Sequence, residues 1–265
     1  MTETLDYSVY AVRYATREAR SGEHFHGRGR GQDPHDAPMP MDYFVWVAVS
    51  DEHTVVVDTG FSAEVAARRG REHLRCPSEG LAALGIDAGS VRYAILTHLH
   101  YDHVGNLQKF PAATFVVQDE EMAFWTGRYA GRELFRELVE PDDVGYLVRA
   151  NFEGRLRFVS GSENIVPGVE AHKAGGHSAG LQVVRVRTAR GAVVLASDAT
   201  HFYANIEQDR PFSIVSDLPR MYGAFDLVRS LAGSPGHVVP GHDPLVMDRY
   251  PAAKEGLEGV AVRIA

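Results

Sequence analysis

Cysteine is nearly absent: Cys76 is the only one in 265 residues, so the chain can form no internal disulfide. That usage fits a reducing compartment, and a cytoplasmic location is the expectation. No apolar run is long enough to cross a bilayer, so no membrane partner is expected. The first residues lack a basic start followed by an apolar stretch, and no secretory signal is expected. Positive charge is also in deficit, with 27 Lys and Arg against 35 Asp and Glu, a net charge of −8 with His neutral. Proteins that grip nucleic acid present a basic face to the phosphates, so nucleic acid is not an expected partner. Low-complexity tracts and short-period repeats are missing too. The remainder is ordinary for a globular protein, 45% hydrophobic and 23% charged, and long enough to bury a sizeable core.

What the chain has in plenty is histidine, 13 residues, many of them beside Asp or Gly. Their placement follows the order of elements. Residues 9–14, 43–49 and 54–57 read as strands, with a Gly- and Pro-rich loop over 21–40 between the first two. Residues 63–70 and 78–84 read as short helices. Residues 91–96 form a strand, then 114–117, followed by helical material over 119–147. The second half repeats the logic: strands at 156–159, 169–172, 181–187 and 192–196, a helix at 218–231, and a short strand at 237–239. No linker separates the halves, so one domain over 1–265 is expected. Strands followed by helix in each half predict an α+β fold, two sheets packed face to face with helices outside, an αββα sandwich.

The strongest signal is Thr97-His98-Leu99-His100-Tyr101-Asp102-His103. It follows an apolar strand directly, which argues against a plain solvated loop. In extended backbone His98 and His100 point to the same side. Three imidazoles and a carboxylate in six positions suit zinc or iron. Three further elements come downstream. Gly175-Gly176-His177-Ser178 is a Gly-rich turn with one His. Ala196-Ser197-Asp198-Ala199 puts a carboxylate at a strand end. Pro240-Gly241-His242-Asp243 puts a His just after another strand. Each alone is weak, since a lone His in a turn is commonly a surface residue and such an Asp is commonly a helix cap. Their order, each abutting a strand, lets them converge on one edge of the sandwich.

This set resembles the metallo-β-lactamase superfamily over nearly the whole chain. Val57-Asp58-Thr59-Gly60 matches the family's early strand–turn, and the His98–His103 segment matches its signature. The resemblance implies two metal ions, one held by His98, His100 and His177, the other by Asp102, His103 and His242, with Asp198 bridging both. Zinc is the expected metal. Asp58 is a candidate to hold one ligand imidazole by its free N–H, or else simply to cap the turn before Gly60. Within the superfamily the phrase HLHYDHVGN and the spacing from Asp198 to His242 are most similar to the N-acyl homoserine lactonase group, with a homodimer implied by analogy.

Two adjacent divalent ions can share a water, lower its pKa and direct the resulting hydroxide at an ester carbonyl. The expected function is therefore lactone opening, on an N-acyl homoserine lactone or a related lactone, with quorum quenching as its consequence. Asp102 or Asp198 would move the proton to the leaving oxygen. One departure stands out. The lactonase group carries a Tyr three residues after the bridging Asp, where this chain has His201. His201 and Tyr203 are both candidates to touch substrate. Phe25, Tyr43, Phe44, Trp46, Met122, Phe124 and Trp125 are candidates for an apolar pocket wall, though each is as readily core. His24, His26 and His35 lie in the 21–40 loop and are candidates to cover the site, while Arg28 and Arg30 in the same loop are candidates to attract an anionic substrate or are simply solvated.

Other activities share the ligand set. A glyoxalase II type thioesterase needs a C-terminal segment for glutathione, and only residues 243–265 follow His242. A true β-lactamase of this fold usually carries Cys where Asp198 stands. From another class, a sulfur dioxygenase would use the same ligand types around a single iron, and metal content separates the two.

Overall fold

A computed structural model describes residues 6–27 and 36–265. Strands β1 (Ser8–Arg17) and β2 (Met41–Val49) pair antiparallel, with Tyr10 opposite Val47 and a register shift between Arg13 and Ala15. β3 (Thr54–Val57) returns antiparallel to β2, setting Trp46 opposite Val57. The sheet then turns parallel through β5 (Tyr93–Ile95), β6 (Thr114–Gln118) and β7 (Leu156–Val159). The short β4 (Glu72–His73) and the late β13 (Ala261–Arg263) both pair with β1. The second sheet has the order β12-β11-β10-β9-β8, from β8 (Ser162–Val166), β9 (Val169–Lys173), β10 (Gln182–Thr188), β11 (Gly191–Ser197) and β12 (Val238–Pro240). It is antiparallel except for the β11–β12 pair.

Period-2 alternation sorts β2 between two cores. Phe44, Trp46 and Ala48 face the second sheet, where they meet Val169, Ala171, Val184, Val186 and Leu195. Tyr43, Val45 and Val47 face the other way, onto the layer of helices that includes α1 (Ala63–Arg69), α2 (Pro77–Ala83), α3 (Asp119–Trp125), α4 (Glu133–Arg136) and α5 (Pro141–Phe152). Both faces of β2 are buried, so its sequence reads as an apolar run rather than as alternation. On the far side of the second sheet, α7 (Leu218–Leu231) lays Met221, Ala224, Phe225 and Val228 over Val183, Val194 and Ala196. The short α6 (Tyr203–Glu207) and α8 (Leu245–Arg249) sit beside it in sequence. The layers are helix, sheet, sheet, helix, as the element order predicts.

Three details differ from the sequence reading. The helical stretch over 119–147 is three helices, separated by turns at Gly127 and Gly131 and restarted at Pro141. Strands β4, β8 and β13 and helices α6 and α8 are additional. Phe44 and Trp46 belong to the core between the sheets and line neither cleft beside the histidine cluster. Among the described residues, no helix is long and apolar enough to cross a membrane.

Candidate metal centre

Strand ends place the chemistry. β3 is followed directly by Asp58 (φ 63°), and β11 ends at Ser197 (φ 45°). Left-handed backbone is uncommon outside glycine and persists where surrounding contacts enforce it. Both residues meet on Thr97, just beyond β5. The Thr97 amide donates to Asp58 Oδ1 at 2.7 Å and its hydroxyl to Asp58 Oδ2 at 2.8 Å, while Ser197 Oγ lies 2.9 Å from the same hydroxyl. The two strained turns are thereby locked to the start of the histidine motif. A third turn needs glycine for space: Gly176 has φ 89°, and a Cβ there would come within 2.6 Å of the Met221 backbone.

All seven residues predicted as metal ligands come together, and each is almost fully buried. Their ligand-type atoms fall into two groups: His98, His100, His177 and Asp198, and Asp102, His103 and His242. Asp198 joins the groups. Its Oδ2 is 3.1 Å from His177 Nε2 and 3.7 Å from His98 Nε2, and its Oδ1 is 3.2 Å from His103 Nε2 and 3.1 Å from His242 Nε2. Asp102 Oδ2 lies 3.7 Å from His242 Nε2, and His100 Nδ1 2.9 Å from His177 Nε2.

Four imidazoles are oriented through the opposite nitrogen. His103 Nδ1 donates to Asp58 Oδ2 at 2.7 Å, His177 Nδ1 to the Ile214 carbonyl at 2.9 Å, and His242 Nδ1 to the Asp42 carbonyl at 2.9 Å. His98 Nδ1 lies 3.1 Å from the Thr97 hydroxyl. Such partners fix the tautomer and leave Nε2 as an electron-pair donor. The Nε2 atoms of His98, His103 and His242 and Oδ1 of Asp198 are buried without a hydrogen-bond partner. Buried polar atoms left unpaired are costly, so this donor set fits divalent cations.

The electrostatics agree. Burial, together with neighbouring imidazoles, holds His98 and His100 well below the ordinary histidine range, which favours the neutral, ligating form. Burial would raise the Asp198 carboxyl, but His201, His242, His103 and His177 outweigh it and keep it ionised. Burial would lower His103 and His242, but the carboxylates, Asp198 first, outweigh it and raise both, so a metal bound there would displace a proton.

Around the cluster lie two adjoining clefts. One, of about 430 Å³, is lined by Tyr43, Tyr101, Met41, Phe212 and four arginines. The other, of about 400 Å³, is lined by Phe124, Trp125, Leu134, Phe135 and Ile214. Of the pocket-wall candidates, Tyr43, Phe124 and Trp125 therefore line clefts. Met122 packs in the helix-side core, and Phe25 lies beneath the Arg210 guanidinium. His201 is in the cluster, its Nε2 2.9 Å from Asp198 Oδ2 and its ring stacked on Phe212 at 3.5 Å. Tyr203 is not brought there. Its amide donates to Asp243, its ring lies under Arg249, and it opens on a separate depression with Tyr250. It sits where the chain has already turned into α6. His24 is buried against Phe202 and Phe212 rather than covering the clefts, and His26 is exposed. His35, Arg28 and Arg30 lie outside the described residues. Phe212, Ile214 and the arginines carried no signal in sequence, since they reach the site from segments with no motif.

Residues 39–257 match the metallo-beta-lactamase superfamily. The chain belongs to that superfamily. It is 30% identical over 256 residues to an N-acyl homoserine lactonase AttM of Azorhizobium caulinodans, covering 86% of this chain and 89% of that one. It is 26% identical over 276 residues to the AttM lactonase of Rhizobium johnstonii, covering 94% and 98%. Its fold matches that of an N-acyl homoserine lactone hydrolase solved with the product N-hexanoyl-L-homoserine at its catalytic metal centre, with a TM-score of 0.72, 19% identity, and 94% and 97% of the two chains covered. In this metallo-β-lactamase chain the candidate donor residues sit in turns next to strand ends.

Proposed function

We propose that this metallo-β-lactamase-fold chain is a dinuclear metal-dependent lactonase, acting as one domain over 1–265. Its first substrates to try are N-acyl homoserine lactones, and quorum quenching would follow from that activity. The observation that carries the reading is the pair of buried donor groups, one containing Asp198 and the other reaching within 3.2 Å of its second oxygen, in a chain with homoserine lactonase relatives along most of its length. Zinc suits the imidazole-rich set. Bound divalent ions supply Lewis acidity toward an ester carbonyl and a nucleophile at neutral pH.

The chain's own residues do the rest. Asp198 spans both donor groups, and Asp58, Ile214 and Asp42 hold the imidazoles in orientation. His201, at hydrogen-bond distance from Asp198 and beside both clefts, is placed to hold a substrate oxygen or proton where relatives of this group carry Tyr. The apolar cleft of Phe124, Trp125 and Phe135 suits an acyl group. A single-iron dioxygenase centre would use the first donor group and leave Asp102, His103 and His242 buried without purpose, which favours the two-metal reading.

The test is turnover of a panel of lactones and thioesters by metal-loaded protein, followed by acid release, before and after chelation. Chelator-sensitive opening of lactones is expected. Turnover of thioesters alone, or lactone opening untouched by chelation, would overturn the reading.

A further inference from the structure

The cleft beside the metal ligands is unusually cationic for a neutral substrate. Arg17, Arg68, Arg69 and Arg71 all line it, in a chain whose overall charge is negative. Two of them are spoken for: Glu140 accepts from Arg68 at 2.6 Å and from Arg69 at 2.8 Å. The other acids facing the cleft are Asp102 and Asp198, which belong to the metal-ligand groups, and the exposed Glu137.

Arg71 is different. It is half-buried, its Nε donates to the Tyr101 hydroxyl at 3.1 Å and its Nη1 to the Arg69 carbonyl at 2.8 Å, and no carboxylate among the described residues lies within ion-pair distance. Those two bonds aim the guanidinium and leave its Nη2 face uncommitted. Arg17 lines the same cleft, and the charges of both guanidiniums act on Tyr43. The carboxylate contact of Arg17, Glu23, is 3.7 Å away, and its Nε is buried with no partner. Tyr43 lines the cleft with these cations and also touches the cluster, its ring 5.1 Å from that of His242. A half-buried, pre-aimed guanidinium without its own carboxylate suits a planar oxyanion.

We propose that the substrate carries a carboxylate, bound by Arg71 with Arg17 in the same cleft, while its hydrolysed ester bond sits at the metal cluster. The proposal rests on the lactonase reading and narrows its substrate class. Lactones with an acidic substituent on the ring or the acyl arm are favoured over neutral ones of the same size.

The experiment compares metal-loaded enzyme on two γ-butyrolactones, one bearing a carboxylate and one a carboxamide, in wild type, Arg71→Met and Arg71→Lys. Wild type is expected to favour the carboxylate by about tenfold or more in kcat/KM, the scale of a hydrogen bond to a charged group. Arg71→Met is expected to collapse that ratio, and Arg71→Lys to restore part of it. A ratio near unity, or one unchanged in Arg71→Met, overturns the proposal and leaves the lactonase standing. Calorimetric binding of the corresponding lactam carboxylate separates the two claims. If no lactone is opened, the lactonase reading fails, while lactam binding that is lost in Arg71→Met still supports the subsite. Lactam binding that is equal in Arg71→Met comes from the metals alone and overturns it.

Discussion

Asp58 Oδ2 accepts the Nδ1–H of His103 at 2.7 Å, with both side chains buried. Burial pushes the Asp58 carboxyl upward, against the pull of His103 and the Thr97 donors. The carboxylate fixes which face of the imidazole meets Asp198. Replacement by Asn keeps a residue that tolerates left-handed backbone but removes the charged acceptor. Asp58→Asn is expected to lower affinity for the metal at Asp102, His103 and His242 by about 10- to 100-fold. Competition with a chromophoric chelator reads it, and an unchanged affinity would show that Asp58 only shapes the turn.

Glu121 ties the two ligand loops together. Its Oε1 accepts from the Leu99 amide at 2.9 Å and Trp125 Nε1 at 2.7 Å, and its Oε2 from Ser178 Oγ at 2.9 Å and the Gly180 amide at 2.7 Å. Leu99 lies between two ligands and Ser178 follows a third. Glu121→Ala strands several buried donors and is expected to cost roughly 3 kcal/mol, a fall in Tm of about 6–12 °C by the size scaling for such chains. A thermal melt showing less than a degree of change would contradict this.

His201→Ala is expected to keep the metals, because seven other donors remain, yet to lose about 100-fold in kcat/KM on lactones. Metal analysis and steady-state rates on the same sample separate these outcomes. An unaltered rate would reduce His201 to a filler between Phe212 and His242.

His24 gives a pH signature. Burial, partly offset by its bond to the Met39 carbonyl, lowers its imidazole to about 4. An unfolded histidine binds its proton near 6.5. Between those values the unfolded chain holds more protons, so stability is lost as pH falls across the window, on the order of 2 kcal/mol. His24→Phe keeps an aromatic ring between Phe202 and Phe212 and removes the titration. Denaturant midpoints at pH 7 and pH 5 should therefore differ less in the variant than in wild type. An equal difference in both would assign the acid sensitivity to other groups.

The clustered His and Asp residues were legible because they stand in short contiguous phrases at strand ends, His98 to His103 above all. The strand at 54–57 and the helix at 218–231 were legible from unbroken apolar runs and a clear 3.6-residue period. Tyr203 was misplaced because sequence distance from Asp198 says nothing about which way the chain turns, and it turns into α6. Phe44 and Trp46 could not be told from pocket walls, since an apolar side chain reads alike in a core and in a cleft. β8 was missed because Ser162, Glu163 and Asn164 are polar residues on a sheet edge. Arg71 was invisible as a site residue, because only folding carries it to Tyr101.

Elemental analysis of the purified, metal-replete chain tests the central claim most directly. About two zinc-like ions per chain are expected, with both weakened in Asp198→Ala because that carboxylate spans the two donor groups. One iron per chain, with oxygen consumed on a persulfide substrate, would contradict it and leave only the fold.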